Sequence, residues 1–316
     1  MVTAKQITAV DVVISILAVI TLMANGTVCI LVFTNRNLRT YTNGFIVSLA
    51  VSDILVGVAL FLQYALSMDN RLVLNVLFTT ALVGSVANLT AVTFDRHLAC
   101  TQPFDYQNII ARYFIKIVAF CWTAAVISAL LPLSWLESNS AALALRIYQF
   151  GILIICIVAP YTWIFLCYLR LFWQVHKIVK RERKMAVHVR GAHQCCERTK
   201  RVCSEAKIAK VFCVIAFLFV VSWLPIIWTT FVYAIGKPYL MPKVIHSLSS
   251  FTLAVGSVIN PILYSFLKPD FRNVYKKIFR LIPRGEKRTY KDHNAFSRAT
   301  NLTKSASRLL QEQTNL

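Results

Sequence analysis

Charge is scarce in this chain. Only 15% of its 316 residues are Asp, Glu, Lys or Arg, 57% are hydrophobic, and the mean hydropathy is +0.61. A soluble domain carries about a quarter of its residues as charges, so this composition excludes a water-dispersed globule and places the chain in lipid. Acids are scarcer still, 13 Asp and Glu against 34 Lys and Arg, for a formal net charge of +21. An outer-face disulfide is also lacking. The nine cysteines, Cys29, Cys100, Cys121, Cys156, Cys167, Cys195, Cys196, Cys203 and Cys213, all fall in apolar runs or in basic segments. The first apolar run, Val10 to Phe33, exceeds a signal-peptide core and meets the basic stop Asn35-Arg36-Asn37-Leu38-Arg39, so it reads as a first span.

What is present is long apolar runs. A helix needs about 20 such residues to cross a hydrocarbon core, and seven stretches qualify, at 9–33, 43–67, 72–100, 113–135, 147–172, 208–235 and 244–267. The expected fold is therefore an all-α membrane protein, a seven-transmembrane helix bundle over 9–267 behind a short outer segment, 1–8. In a soluble chain the net charge would suggest nucleic acid, but here the bases are sorted by side. Among the Lys and Arg, only Lys5, Arg71, Arg146, Lys237 and Lys243 fall in outer segments. That asymmetry predicts the amino terminus outside, the carboxyl terminus in the cytoplasm, and membrane lipid rather than nucleic acid as neighbour.

The connections are short, with outer turns near Asp69-Asn70 and at 137–140 and a polar link from Asp105 to Lys116 between the third and fourth spans. The cytoplasmic loop at 173–207 lies within a stretch, Arg170 to Lys210, that sets 12 Lys and Arg against Glu182, Glu197 and Glu205, which suits water and anionic headgroups. At 268–280, Phe271, Val274, Tyr275, Ile278 and Phe279 share one face and bases the other, the pattern of a short amphipathic eighth helix in the interface. The tail, 281–316, is polar and aperiodic and is expected to be disordered.

Ionisable side chains inside a bilayer cost about 2.5 to 3.5 kcal/mol even on the lenient insertion scale. Asp53 is such a residue, mid-span in SLAVSDILVG, with Asn25, Ser85, Ser257 and Asn260 as polar company on other spans. Taken alone, a hydrogen-bonded packing network explains it. Further marks follow one per span: Leu49 and Ala50 before Asp53; Asp95-Arg96-His97; Trp122; Pro160 and Tyr168; Phe219, Trp223 and Pro225; and Asn260-Pro261-Ile262-Leu263-Tyr264. In that order and spacing, from about Asn25 to Phe279, the chain resembles the rhodopsin-like (class A) G-protein-coupled receptors.

The resemblance implies a receptor that passes ligand binding to a heterotrimeric G protein at the plasma membrane. It implies a switch of Asp95, Arg96, Glu205, Tyr168 and Tyr264, in which Glu205 clasps Arg96 across helices, and an activation relay of Phe219, Trp223, Pro225, Asn260 and Pro261. It also implies a site for an allosteric sodium ion at Asp53, Ser85, Ser257, Asn25 and Asn260, oxygen-rich as a hard cation requires. Gly256 departs from the family there, as His97 and Ser222 do elsewhere. Pro160, Pro225 and Pro261 each remove a backbone donor within a span and bend it.

Eighteen residues before Arg96 stands Phe78, where amine receptors of the family carry aspartate; seven before Pro261 stands Ala254, where retinal proteins carry lysine. A typical amine and retinal are both disfavoured. The upper-pocket candidates are Phe78, Ala81, Leu82, Ile152, Cys156, Trp223, Ile226, Ile227, Thr230, Ser250 and Ala254. Mostly apolar, they suggest a small, weakly charged or lipid-like ligand, or a short peptide. Arg71 stands where most relatives carry a bridged cysteine, so that staple is missing.

Other clusters carry less. Cys195, Cys196, Cys203, His188 and His193 match no zinc spacing, so no cofactor is expected beyond the ion. Asn25-Gly26-Thr27 and Asn88-Leu89-Thr90 lie in spans and Asn301-Leu302-Thr303 in the tail, where glycosylation does not reach. Thr289, Ser297, Thr300, Thr303, Ser305 and Ser307 are candidate sites for a receptor kinase and arrestin. No span offers a catalytic constellation, so an enzyme is not expected. The competing reading is an ion-coupled transporter using Asp53, although duplicated halves with paired broken helices are missing.

Overall fold

The structure is a computed structural model and describes residues 8–102, 104–135, 141–167, 169, 170, 173 and 223–281. Lipid offers no hydrogen bonds to a peptide group, so apolar runs close their own backbone bonds as helices. Helix α1 (Ala9–Thr34) begins with a capping box in which Thr8 accepts from the Asp11 amide at 3.3 Å and the Asp11 carboxylate accepts from the Thr8 amide at 2.9 Å. Thr40 caps α2 (Tyr41–Leu60), and Asn70 caps α3 (Arg71–Thr101). The chain continues through α4 (Tyr106–Leu130), α5 (Ala141–Gly151, prolonged to Cys167), α6 (Trp223–Ala234), α7 (Lys243–Leu267, with Pro261 inside) and α8 (Pro269–Leu281). Helices α1 to α5 are each long and apolar enough to cross a membrane, and no strand occurs among the described residues.

Burial is distributed as lipid requires. Asn25, Asp53, Asn88 and Asp95 are buried, whereas Met23, Ile115 and Phe120 are each more than two-thirds exposed. Neighbouring helices are tied by neutral polar contacts: the Asn88 side-chain oxygen accepts from Ser48 at 2.6 Å, and Trp122 Nε1 donates to the same hydroxyl at 3.0 Å, joining α2, α3 and α4. Such bonds add to van der Waals packing where no hydrophobic drive separates helix from lipid.

The link expected from Asp105 to Lys116 is mostly helix, because α4 starts at Tyr106. Its charges are compatible with that. The Arg112 guanidinium and the Lys116 ammonium both lie over the Tyr113 ring, 5.7 and 5.6 Å from its centroid, so a ring on the helix surface answers both charges. Two helices carry π-turns, Phe61–Ala65 at the end of α2 and Ile152–Val158 within α5. A π-turn rotates the side chains that follow it; Gln63 of the first lines the upper cavity described below, and Ile152 and Ile157 of the second line a smaller hollow.

Helices α1 and α2 approach closely at Gly57. A Cβ there would lie 3.0 Å from the Leu22 side chain and 3.2 Å from the Ala18 carbonyl oxygen. The leucine can yield but the backbone oxygen cannot. Gly57→Val should therefore lower the melting temperature of the purified protein, by a destabilisation of about 1 to 3 kcal/mol typical of overpacking, while Gly26→Val, where nothing lies within 4 Å, leaves it nearly unchanged.

Candidate functional site

The site at one end of the bundle begins with Asp95, fully buried in the last turns of α3. A buried carboxylate must be paired and hydrogen-bonded to remain charged. Its Oδ2 accepts from Arg96 Nε at 2.9 Å, from Arg96 Nη2 at 2.5 Å and from the Thr42 hydroxyl at 2.9 Å; its Oδ1 accepts from Tyr106 Oη at 2.7 Å. Arg96 also donates to Thr42, whose hydroxyl lies 3.2 Å from that of Tyr106. The guanidinium is thus clamped on its own helix by α2 and the start of α4. Thr42 and Tyr106 were absent from the expected switch set, and no pattern in the sequence pairs them with Asp95. Asp95 and Arg96 meet as expected; Glu205, Tyr168 and Phe219, and the side chain of Tyr264, lie outside the described residues.

A cleft of about 1210 Å³ opens beside this clamp, with Arg39, Arg96, Tyr106, Phe114 and Lys268 on its walls. Lys268, just past α7, is buried, and its ammonium donates to the Asn43 side-chain oxygen, while Asn43 Nδ2 donates to the Leu38 carbonyl at 2.7 Å. Burial first, and the Arg96 guanidinium second, press the Lys268 ammonium down to about 8.

The second group of residues is centred on Asp53, buried in α2. Its Oδ1 accepts from Ser257 Oγ at 2.9 Å and its Oδ2 from Asn260 Nδ2 at 2.9 Å, both on α7. Asn25 donates instead to the Ser257 backbone carbonyl at 3.2 Å, and Ser85 donates to Ser52 at 3.2 Å. All five expected residues gather here, together with Ser52, which the sequence reading omitted. Carboxylate and hydroxyl oxygens suit a sodium ion. The Asn25 amide nitrogen, aimed at a carbonyl, takes no ligand role.

At the opposite end lies an upper cavity of about 800 Å³, between α2, α3, α4, α5, α6 and α7. Of the expected pocket residues, Phe78, Leu82, Ile226 and Ser250 line it, and Leu82, Ile152, Trp223, Ile226 and Thr230 line a smaller hollow of about 100 Å³. Ala81, Cys156, Ile227 and Ala254 line neither, and Ala81 and Ala254 are wholly buried. Trp223 is buried, with the Tyr161 ring 5.8 Å away. Polar wall residues that the sequence reading did not select include Gln63, Asn75, Thr79, Tyr148, Gln149 and His246, and Arg71, considered only as a missing cysteine, lies on the same wall. A polar residue near the end of a span carries no mark in sequence that separates a cavity wall from solvent.

The depressed Lys268 predicts a pH effect whose sign follows from linkage. Between about 8 and 10.5 the unfolded lysine holds its proton and the folded one does not, so stability contributed here rises with pH across that window and is lost as pH falls through about 8. Lys268→Met should remove this component. The wild-type melting temperature minus that of the variant should increase from pH 7.5 to pH 10; a flat difference would show that Lys268 is not held in a desolvated site.

With this geometry in place, similarity to known proteins is informative. A family model described as 7 transmembrane receptor (rhodopsin family) matches residues 24–264. A D(1)-like dopamine receptor of Oreochromis mossambicus is 29% identical over 84% of this chain and 77% of its own length. The histamine H2 receptor of Canis lupus familiaris is 26% identical over 96% of this chain and 86% of its own. The adenosine receptor A2a of Homo sapiens is 26% identical over 84% and 70%. The chain belongs to the rhodopsin family of seven-transmembrane receptors, a multi-pass membrane protein and not an enzyme.

Proposed function

We propose that the protein is a ligand-activated receptor of the plasma membrane, amino terminus outside, that promotes nucleotide exchange on a heterotrimeric G protein. The observation that carries this reading is the clamp of Asp95, Thr42 and Tyr106 on Arg96 beside a wide cleft. The cleft is the cytoplasmic docking face. Release of Arg96 from its own helix makes the guanidinium available there, and the upper cavity, through Trp223, is where a ligand biases that release. Each neutral hydrogen bond in the clamp is worth about 1 kcal/mol net, so the clamp sets a two-state equilibrium and a ligand can shift it.

The ligand is small and carries no ammonium group. Phe78 lines the upper cavity, and no Asp or Glu lines it among the described residues, so a cation would find no counter-charge. The relatives named for dopamine and histamine are 29% and 26% identical to the chain, and this wall argues against carrying their ligands over. At Asp53 a sodium ion stabilises the resting arrangement by replacing hydroxyl donors with its own charge. The Ser and Thr residues of the tail are targets of a receptor kinase and arrestin.

Guanine-nucleotide exchange on membranes bearing the receptor and a panel of G proteins tests the central claim. Tyr106→Phe, which deletes one clamp bond of about 1 kcal/mol, should raise basal exchange by up to about fivefold, and Arg96→Ala should abolish it. Exchange indifferent to Arg96→Ala overturns the reading and favours a transporter. For the ion, the melting temperature in sodium chloride should exceed that in choline chloride, and Asp53→Asn should erase the difference; a sodium effect surviving that change removes Asp53 from the site.

A further inference from the structure

The walls of the upper cavity are rich in donors that bond to nothing among the described residues. Most of the hydroxyls there are engaged: Tyr64 donates to Ser250 at 2.8 Å, Thr229 and Ser249 lie 3.2 Å apart, and Tyr148 donates to the Ser128 carbonyl at 2.8 Å. Arg71, Gln63, Asn75, Gln149 and His246 make no hydrogen bond or ion pair among the described residues. That set offers a guanidinium, three amides and an imidazole, with no carboxylate on the wall to answer them. Arg71, Asn75 and His246 are exposed and hydrated in the cavity, so a ligand that displaces their water must itself supply the counter-charge. A neutral ligand covering Arg71 would strip its water and return no counter-charge, which is costly, whereas a carboxylate matches the planar fork of the guanidinium in two parallel bonds.

The position of the charge defines the rest of the molecule. Arg71, Asn75, Phe78 and Leu82 follow one another at three- and four-residue steps along the cavity side of α3, which puts them in one stripe. From Arg71 to Leu82 the helix rises about 16 Å at 1.5 Å per residue. The stripe changes from cationic and amide at its mouth to aromatic and aliphatic below. It then meets the small hollow shared by Leu82, Ile152, Ile226 and Trp223. A volume of about 800 Å³ lies within the range of about 300 to 1,000 Å³ usual for ligand pockets.

We infer that this cavity takes an amphipathic carboxylate of fatty-acid type, its head on Arg71 and Asn75 and its chain against Phe78 and Leu82 towards Trp223. The inference rests on reading the upper cavity as the ligand site and adds the ligand's chemical class. Arg71 occupies the position where the family's usual outer staple is missing, so the residue that could not bridge to a loop is the one that recognises the head group.

Three probes with one chain and different heads provide the test: dodecanoate, dodecanamide and dodecylammonium, each titrated against the purified full-length receptor in nanodiscs with melting temperature as the readout. The acid should bind at least about tenfold more tightly than the amide, a difference of about 1.4 kcal/mol, and the ammonium most weakly. Arg71→Gln should cost the acid about tenfold and leave the amide within about twofold; Arg71→Glu should move the preference to the ammonium. Equal affinity for acid and amide, an acid affinity unaffected by Arg71→Gln, or no binding of the acid up to its solubility limit would each overturn the proposal. The unliganded melting temperature reports folding of each variant, and the comparison of heads on the wild type stands without them. No G protein is present, so failure of nucleotide exchange and failure of head-group recognition are read separately.

Discussion

The carboxylate of Asp53 is the node on which the bundle depends. It sits in α2 in a medium that offers no water, and α7 answers it twice, through Ser257 and Asn260. Those two donors lie just before Pro261, so the stretch of α7 least able to make its own backbone bonds is the one fastened to a neighbour. Asn25 brings α1 to the same place through the Ser257 carbonyl, and the Ser85 hydroxyl on Ser52 brings α3. Helix packing in lipid gains little from the hydrophobic effect, and a buried charge left without donors would cost several kcal/mol. Four helices therefore converge at one level.

That convergence separates two ends of unlike character. At the Arg96 end, formal charges lie close together in a partly desolvated space: Asp95 is fully buried, Arg96 is bound to it, and Lys268 is buried within reach of both. The pair Asp95 and Arg96 is satisfied through Thr42 and Tyr106, but Lys268 has an amide oxygen as its partner, and the nearby guanidinium works against its charge. At the other end the contacts are neutral hydroxyls and aromatic rings, and the one strong charge on the cavity wall, Arg71, is unopposed among the described residues.

Much of this was legible in the sequence, and the part that was not has a physical cause. Spans are written in hydropathy because twenty apolar residues have few alternatives to a lipid-crossing helix. Asp53, Asn25, Ser257 and Asn260 were legible because a polar residue in the middle of a span is costly enough to stand out. Tyr106 and Thr42 were not, because at a helix end a hydroxyl costs nothing in water, and only the fold brings both to Asp95. The link at Asp105 to Lys116 was misread for a related reason: its charges lower hydropathy, yet the Arg112 and Lys116 charges lie over the Tyr113 ring on a helix that already starts at Tyr106. Cys156 lies inside the π-turn of α5, and across such a turn spacing from a motif does not preserve which face a residue presents.

The missing outer staple follows the same logic. A disulfide between α3 and a loop would fix the mouth of the cavity covalently, and in its place the described residues show weaker ties. Asn70 caps α3 at the Val73 amide, Tyr148 holds α5 to α4 through the Ser128 carbonyl and stacks near Trp135, and Tyr64 reaches α7 at Ser250. Arg146 of α5 packs over Gly236, whose positive φ of 68° shapes the turn after α6 and leaves room that a side chain would fill. Each of these ties is worth about 1 kcal/mol, within the range a bound ligand can rearrange. Several of them end on residues of the cavity wall, Tyr148 and Ser250 among them. A mouth held by such bonds can rearrange one tie at a time, as one held by a covalent bridge could not.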